Sequence, residues 1–216
     1  MVTGGILAVN PAFAEHGPKY VIKKGKTPVL TPEEARLLLD SIDVSEKSGL
    51  RDRALLAMMV YSFARVSAVI GMNVEDYYQQ ESAGGCGSTK RWQTSRAAVH
   101  HKAEEYLDAY LKQSGIAGQK ATPLWRSMTK QRSWGKGRMS RHDVLRMVKR
   151  RCQQAQLGAA ANCHTFRATG ITAYLLNGGT LEHAQQIAAH ESPRTTKLYD
   201  RTTDEITLDE IERIGI

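Results

Sequence analysis

Apolar residues recur at helical spacing along most of this chain, and capping signals punctuate the breaks between those runs. Leu55, Leu56, Met59, Val60 and Phe63 share one face of a helix expected over Leu50–Phe63. Ahead of it, Thr31-Pro32-Glu33-Glu34 is a capping box with proline at the first helical position, opening a helix to about Ile42. Another helix is expected from about His100 to Gln113, and the next starts at the N-cap Ser140, with Asp143 behind it, and stops at Gly158. Cys163 to Leu176 is helical and ends at Gly178-Gly179, after which Thr180 caps a helix through Ala188. A further capping box, Thr207-Leu208-Asp209-Glu210, opens a short terminal helix. Met72 to Gln80 reads as a strand, and residues 81–99 show no clear period. The fold class is therefore mainly α with a small antiparallel β-sheet (α+β), placed between the first helices and the middle one. Residues 1–30 read as an irregular leader and basic linker, and residues 31–216 as the main domain.

Charge changes that picture only in one region. The chain carries a net charge of +8, and ten Lys/Arg lie between Arg126 and Arg151 against one acid, Asp143. Such a stretch suits a polyanion, although a solvated basic surface gives the same pattern. Lys130, Arg132, Lys136, Arg138, Arg141, Arg146, Lys149 and Arg150 are the candidate contacts to nucleic acid. The tail from Asp200 onward is acidic. Cys86, Cys152 and Cys163 form no CxxC pair and are odd in number, which points to reduced thiols in a cytoplasmic protein. Ala12-Phe13-Ala14 mimics a signal-peptidase site, but no basic segment precedes it and Asn10-Pro11 interrupts the apolar run.

Candidate chemistry gathers late in the chain. His164 and Arg167 stand three apart and share a helical face, His190 ends the next helix, and Tyr199 follows nine residues later. Far upstream, Arg65 directly follows an apolar helix, where an arginine calls for an anion to pair with. Two guanidinium forks can hold the non-bridging oxygens of a phosphate, and a neighbouring base can activate a phenol whose ordinary pKa is near 10. Each residue alone is weak evidence, since a lone helical histidine or a loop tyrosine usually packs.

The order Arg65…His164-x-x-Arg167…His190…Tyr199 resembles the tyrosine recombinase (phage integrase) family. The likeness extends through Ala168-Thr169-Gly170-Ile171-Thr172, His190-Glu191-Ser192-Pro193, Arg53-Ala54-Leu55-Leu56 and Gly71-Met72-Asn73-Val74-Glu75-Asp76. The resemblance implies the catalytic-domain fold of that family and site-specific DNA recombination through a 3′-phosphotyrosine. By position, Arg65 and Arg167 clamp the scissile phosphate, His164 handles the proton of the nucleophile Tyr199, and His190 hydrogen-bonds the phosphate. It implies no metal and no cofactor. The implied partners are double-stranded DNA and, through the helix at 207–214, a second copy of the chain on that DNA, in a nucleoid-associated setting. The other readings are a DNA-binding remnant without catalysis and a type IB topoisomerase-like activity.

Two departures from the family pattern stand out. Val2 to Ala12 reads as a remnant of an N-terminal core-binding domain, which leads us to expect weak, salt-sensitive DNA binding and a truncated, impaired enzyme. The family also carries a β-hairpin whose turn brings a lysine as general acid, whereas Ala83-Gly84-Gly85-Cys86-Gly87-Ser88 makes a poor strand, and Lys90 is the only lysine between Glu81 and Val99. Codons can be chosen for 81–99 so that the neighbouring frames spell a hairpin with a lysine in its turn. Compensating single-base shifts are the origin this suggests.

Overall fold

The computed structural model describes residues 25–81, 88–92, 98–158 and 161–201. Eight helices and two hairpins lie within them: α1 (Pro32–Asp40), α2 (Lys47–Tyr61), α3 (Val66–Gly71), β1 (Tyr77–Glu81), β2 (Ser88–Trp92), α4 (His101–Ser114), β3 (Arg126–Met128), β4 (Trp134–Arg138), α5 (Arg141–Gln154), α6 (Cys163–Leu176), α7 (Leu181–Ala188) and α8 (Pro193–Lys197). The remnant expected over Val2–Ala12 and the terminal helix at 207–214 lie outside the described residues.

Helix α2 is the axis of the domain. Every residue from Ala54 to Val60 is buried, so the helix is enclosed by α4 and α6 and needs no polar face along this stretch. Its polar end is compensated by an ion cluster. Asp52, wholly buried, accepts from Arg51 Nη2 at 2.7 Å, Arg151 Nη2 at 2.8 Å and Arg150 Nη2 at 2.9 Å, which ties α2 to the end of α5. Arg51 also donates to the Arg126 carbonyl at 2.8 Å, so the cluster holds β3 as well.

Helix α6 crosses α2 at Gly170. A methyl group there would overlap the Val60 carbonyl and the Phe63 ring, so only glycine allows this approach. The close crossing divides the apolar interior. The larger core surrounds α2, and a second cluster gathers Phe63, Ala168, Ile171, Leu175, Ala184, Ala188 and Tyr199.

The capping boxes behave as the residues dictate. Thr31 and Glu34 exchange hydrogen bonds at the start of α1, and Ser140 and Asp143 do so at the start of α5. Helix α6 spans the expected residues and takes Asn162 as its N-cap. Elsewhere the structure differs. Residues 74–76 form a 3₁₀ turn in place of the first half of the expected strand, because Asn73 and Asp76 bond each other's main chain and displace ladder bonds. The strand begins only at Tyr77 and pairs antiparallel with β2, which sets Lys90 opposite Gln79. Part of the stretch that read as a poor strand is thus paired. Residues 82–87 and 93–97, and with them most of the frame-shift question, lie outside the described residues. A second hairpin, β3–β4, was not expected, and it carries a bulge between Arg126 and Met128.

Candidate functional site

Helix α6, the turn after α2 and the segment from α7 to Tyr199 converge on one place. His164 sits in the first turn of α6 and Arg167 one turn later on the same face. The imidazole Nε2 of His164 lies 2.7 Å from the Tyr199 hydroxyl. Tyr199 follows α8, whose start is set by the N-cap Ser192 and by Pro193 at the first helical position. Its main-chain N–H donates to the Thr196 carbonyl at 2.9 Å, and Thr172 on α6 donates to its carbonyl, also at 2.9 Å. The nucleophile candidate is therefore anchored to α6 by main chain, while its phenol end meets His164.

Arg167 is 2% exposed and keeps its charge in the interior by donating to two main-chain carbonyls, Phe63 through Nη1 and Ala188 through Nη2, the latter at 2.7 Å. Phe63 has φ 54, a left-handed conformation that a bulky side chain seldom adopts. The Arg167 Nε is buried without a partner among the described residues. A donor in that condition suits an incoming anion. Burial, and then Arg65, lower the Arg167 guanidinium from its ordinary value, while Tyr199 works the other way.

Arg65 is the N-cap residue of α3 and lies exposed; its carbonyl accepts from Ala68 and Val69, while its guanidinium has no hydrogen bond or ion pair among the described residues. It lines a cavity of about 430 Å3 together with His164, Arg167, Arg141 and His142. The cations thus arrive from three directions: the turn after α2, α6 and the start of α5. His142 escaped the sequence reading, and its only signal was its place beside Arg141 at a helix start.

His190 follows Ala189, a left-handed residue at φ 48 that ends α7. Its ring stacks on that of Tyr199 at 5.8 Å with 6° between planes, and its Nδ1 lies 2.9 Å from Thr196 Oγ1. Burial first, then Arg167, Arg65 and His164, hold its pKa down to about 4. The same order of burial, Arg167 and Arg65 lowers that of His164. Both imidazoles are therefore neutral at neutral pH, so His164 Nε2 can accept the phenol proton.

The structure brings Arg65, His164, Arg167, His190 and Tyr199 together. Lys90 stands on β2, and its side chain lies outside what is described. The eight basic candidates are all exposed but not equally free. Arg138 donates to the Ile70 and Met72 carbonyls and to Asn73, which fastens β4 to the end of α3. Arg150 is bound to Asp52, Arg146 to Asp143 at 2.6 Å, and Arg132 to Glu46 at 3.6 Å. Lys130, Lys136, Arg141 and Lys149 have no ion pair among the described residues. Among those residues, no helix is long and apolar enough to cross a membrane.

Solved structures share this architecture. They include the XerA recombinase (TM-score 0.59, 21% identity, 88% of this chain and 64% of that one). A lambda integrase (75–356) dimer bound to a COC′ core site also aligns (TM-score 0.57, 18% identity, 96% and 71%). So does the Tn1549 transposon integrase (TM-score 0.62, 16% identity, 89% and 67%). The fold is that of a tyrosine recombinase catalytic domain. Residues 28–205 match the phage integrase family, and the chain belongs to that family. Similar sequences include the tyrosine recombinase XerC of Chlamydia caviae, 27% identical over 195 residues, and XerD of Corynebacterium glutamicum, 26% over 199. The chain spans about 60% of the length of each.

Proposed function

We propose that this chain carries the catalytic centre of a site-specific DNA recombinase, with Tyr199 as nucleophile. The observation that supports the reading above all is the 2.7 Å contact between His164 Nε2 and the Tyr199 hydroxyl beside Arg65 and Arg167. In the proposed step, His164 takes the phenol proton as the Tyr199 oxygen attacks phosphorus, and the bond to the 5′ oxygen breaks. A 3′-phosphotyrosine and a free 5′ hydroxyl result. Arg65 and Arg167 hold the charge that develops on the non-bridging oxygens, and His190 donates a hydrogen bond to one of them. We assign protonation of the leaving oxygen to Lys90. Rejoining is the same path reversed, with a 5′ hydroxyl from another strand.

Double-stranded DNA is the proposed partner. The lambda integrase that shares the fold is a dimer bound to a COC′ core site, and Lys130, Lys136, Arg141 and Lys149, without an ion pair among the described residues, offer phosphate contacts here. Pairing of two copies on DNA through residues 207–214 belongs to the same proposal.

The test is covalent trapping on a nicked duplex. Wild-type protein should give a protein–DNA band that survives denaturation, and Tyr199→Phe should give none. A wild type that retards the duplex without forming that band would leave the reading of a DNA-binding protein without catalysis. Relaxation of supercoiled plasmid without strand exchange would favour the topoisomerase-like reading.

A further inference from the structure

Thr196 lies three residues before Tyr199, and its side chain is wholly buried at 0% exposure. Its Oγ1 is 2.9 Å from His190 Nδ1 and has no other hydrogen-bond partner among the described residues. A buried hydroxyl that fails to donate costs about 1–3 kcal/mol. Among the described residues Nδ1 is the one acceptor paired with it, so the hydroxyl proton belongs on that bond. An Nδ1 that accepts cannot carry hydrogen, and a neutral ring must then hold its proton on Nε2.

From this geometry we infer that Thr196 is a positioning residue, which holds His190 as an Nε2–H donor for the phosphate. The inference rests on the recombinase reading for its purpose, though not for its structural content. The other restraints on the ring agree with it. The His190 main-chain N–H donates to the Gln185 carbonyl at 3.1 Å, and Gln185 Nε2 donates to the His190 carbonyl at 3.0 Å. Stacking on Tyr199 holds the ring plane. Nε2 makes no hydrogen bond among the described residues, so its N–H is left for a ligand. With the pKa of His190 held at about 4, the ring stays neutral through the working range, and the two nitrogens keep distinct roles. Thr196 also accepts from the Tyr199 main chain. One residue therefore sets the placement of both the donor and the nucleophile.

Two measurements on the full chain test this. Ring 15N shifts of His190 at neutral pH should show Nδ1 bare and Nε2 protonated, and a protonated Nδ1 would overturn the inference. In covalent trapping, Thr196→Val should slow formation of the phosphotyrosine complex at least about tenfold, short of the roughly 10²–10³-fold loss on deleting such a donor. DNA affinity should stay the same, and Thr196→Ser should restore the rate. A Val variant as fast as wild type, or a loss that appears in affinity alone, would also overturn it. Circular dichroism melting of both variants identifies a fold defect, and the Ser variant keeps the comparison informative if Val misfolds. If wild type forms no covalent complex while Nδ1 is bare, the recombinase reading fails and the tautomer assignment stands.

Discussion

Gly25 and Leu198 meet backbone to backbone: the Gly25 N–H donates to the Leu198 carbonyl at 3.0 Å. Arg201 closes the contact from the other side by donating to the Gly25 carbonyl at 2.9 Å. The segment before α1 thus lies as a strap across the residues that flank Tyr199. Val29 packs against the same apolar cluster as Tyr199, and Leu30 donates to Thr169 at 3.0 Å.

A side chain at position 25 should loosen that strap. A Cβ there would stand 2.8 Å from the Leu198 oxygen, which is main chain and cannot turn away. Gly25→Val is expected to cost about 1–3 kcal/mol in urea denaturation, as overpacking usually does, and to lower the yield of covalent complex. Unchanged values in both assays would show that the strap does not restrain Tyr199.

The two site arginines should separate activity from stability. The Arg65 side chain is exposed and has no partner among the described residues, so Arg65→Ala should leave the denaturation midpoint within about 0.5 kcal/mol while cleavage falls by roughly 10²–10³-fold. Arg167 supports two carbonyls from within the core, so Arg167→Ala should lose stability as well as cleavage. Equal melting of the two variants would refute the distinction.

Acid should weaken the fold through His190. Burial lowers its folded pKa from 6.5 to about 4, so between those values the unfolded chain binds the proton more readily. This contribution to stability is whole above about pH 6.5 and declines as pH falls toward 4. Melting temperature measured across that window should drop for wild type and less steeply for His190→Gln. A slope unaffected by the substitution would assign the acid sensitivity to other groups.

The ion cluster gives a stability prediction remote from the cavity. Asp52→Ala strands two buried guanidinium groups and should cost about 3–5 kcal/mol. Arg150 is half exposed, so Arg150→Ala should cost under about 1 kcal/mol. Urea midpoints of the two variants that lie close together would contradict this account.

Replacing the leaving oxygen of the DNA by sulfur removes the need for a general acid. If Lys90 is displaced from the cleaved bond, the 5′-thio substrate should react faster than the ordinary one by about 10²–10⁴-fold in single-turnover cleavage. Equal rates would mean that protonation of the leaving group does not limit this protein.

Much of this was legible because short-range rules decide it. The caps at Thr31 and Ser140 and the bounds of α6 follow from side chains within four positions of the main chain they serve. Helix α3, at six residues, and α8, at five, are too short to display a period. Ser192-Pro193 carries a start signal for α8, but it stands inside the motif His190-Glu191-Ser192-Pro193, which masks it. The β3–β4 hairpin was hidden because its residues were weighed as charges rather than as pairing positions. The burial of Asp52 is not legible in the sequence, since its partners Arg150 and Arg151 come from about a hundred positions away and only folding reveals them. The site residues were recognised by their order, whereas Thr196 was missed, because a hydroxyl declares its partner only in space.

The left-handed twist at Phe63 has a consequence for how an anion would be received. Its carbonyl accepts from Arg167, and two residues on the same loop delivers Arg65, so one short turn carries both contacts to the site. The Arg167 head is held in place when the chain folds, whereas the exposed Arg65 guanidinium keeps its rotamer freedom. An anion bound there would meet one fixed cation and draw in one mobile one, so calorimetry of anion binding should register the ordering of a side chain and little of the main chain.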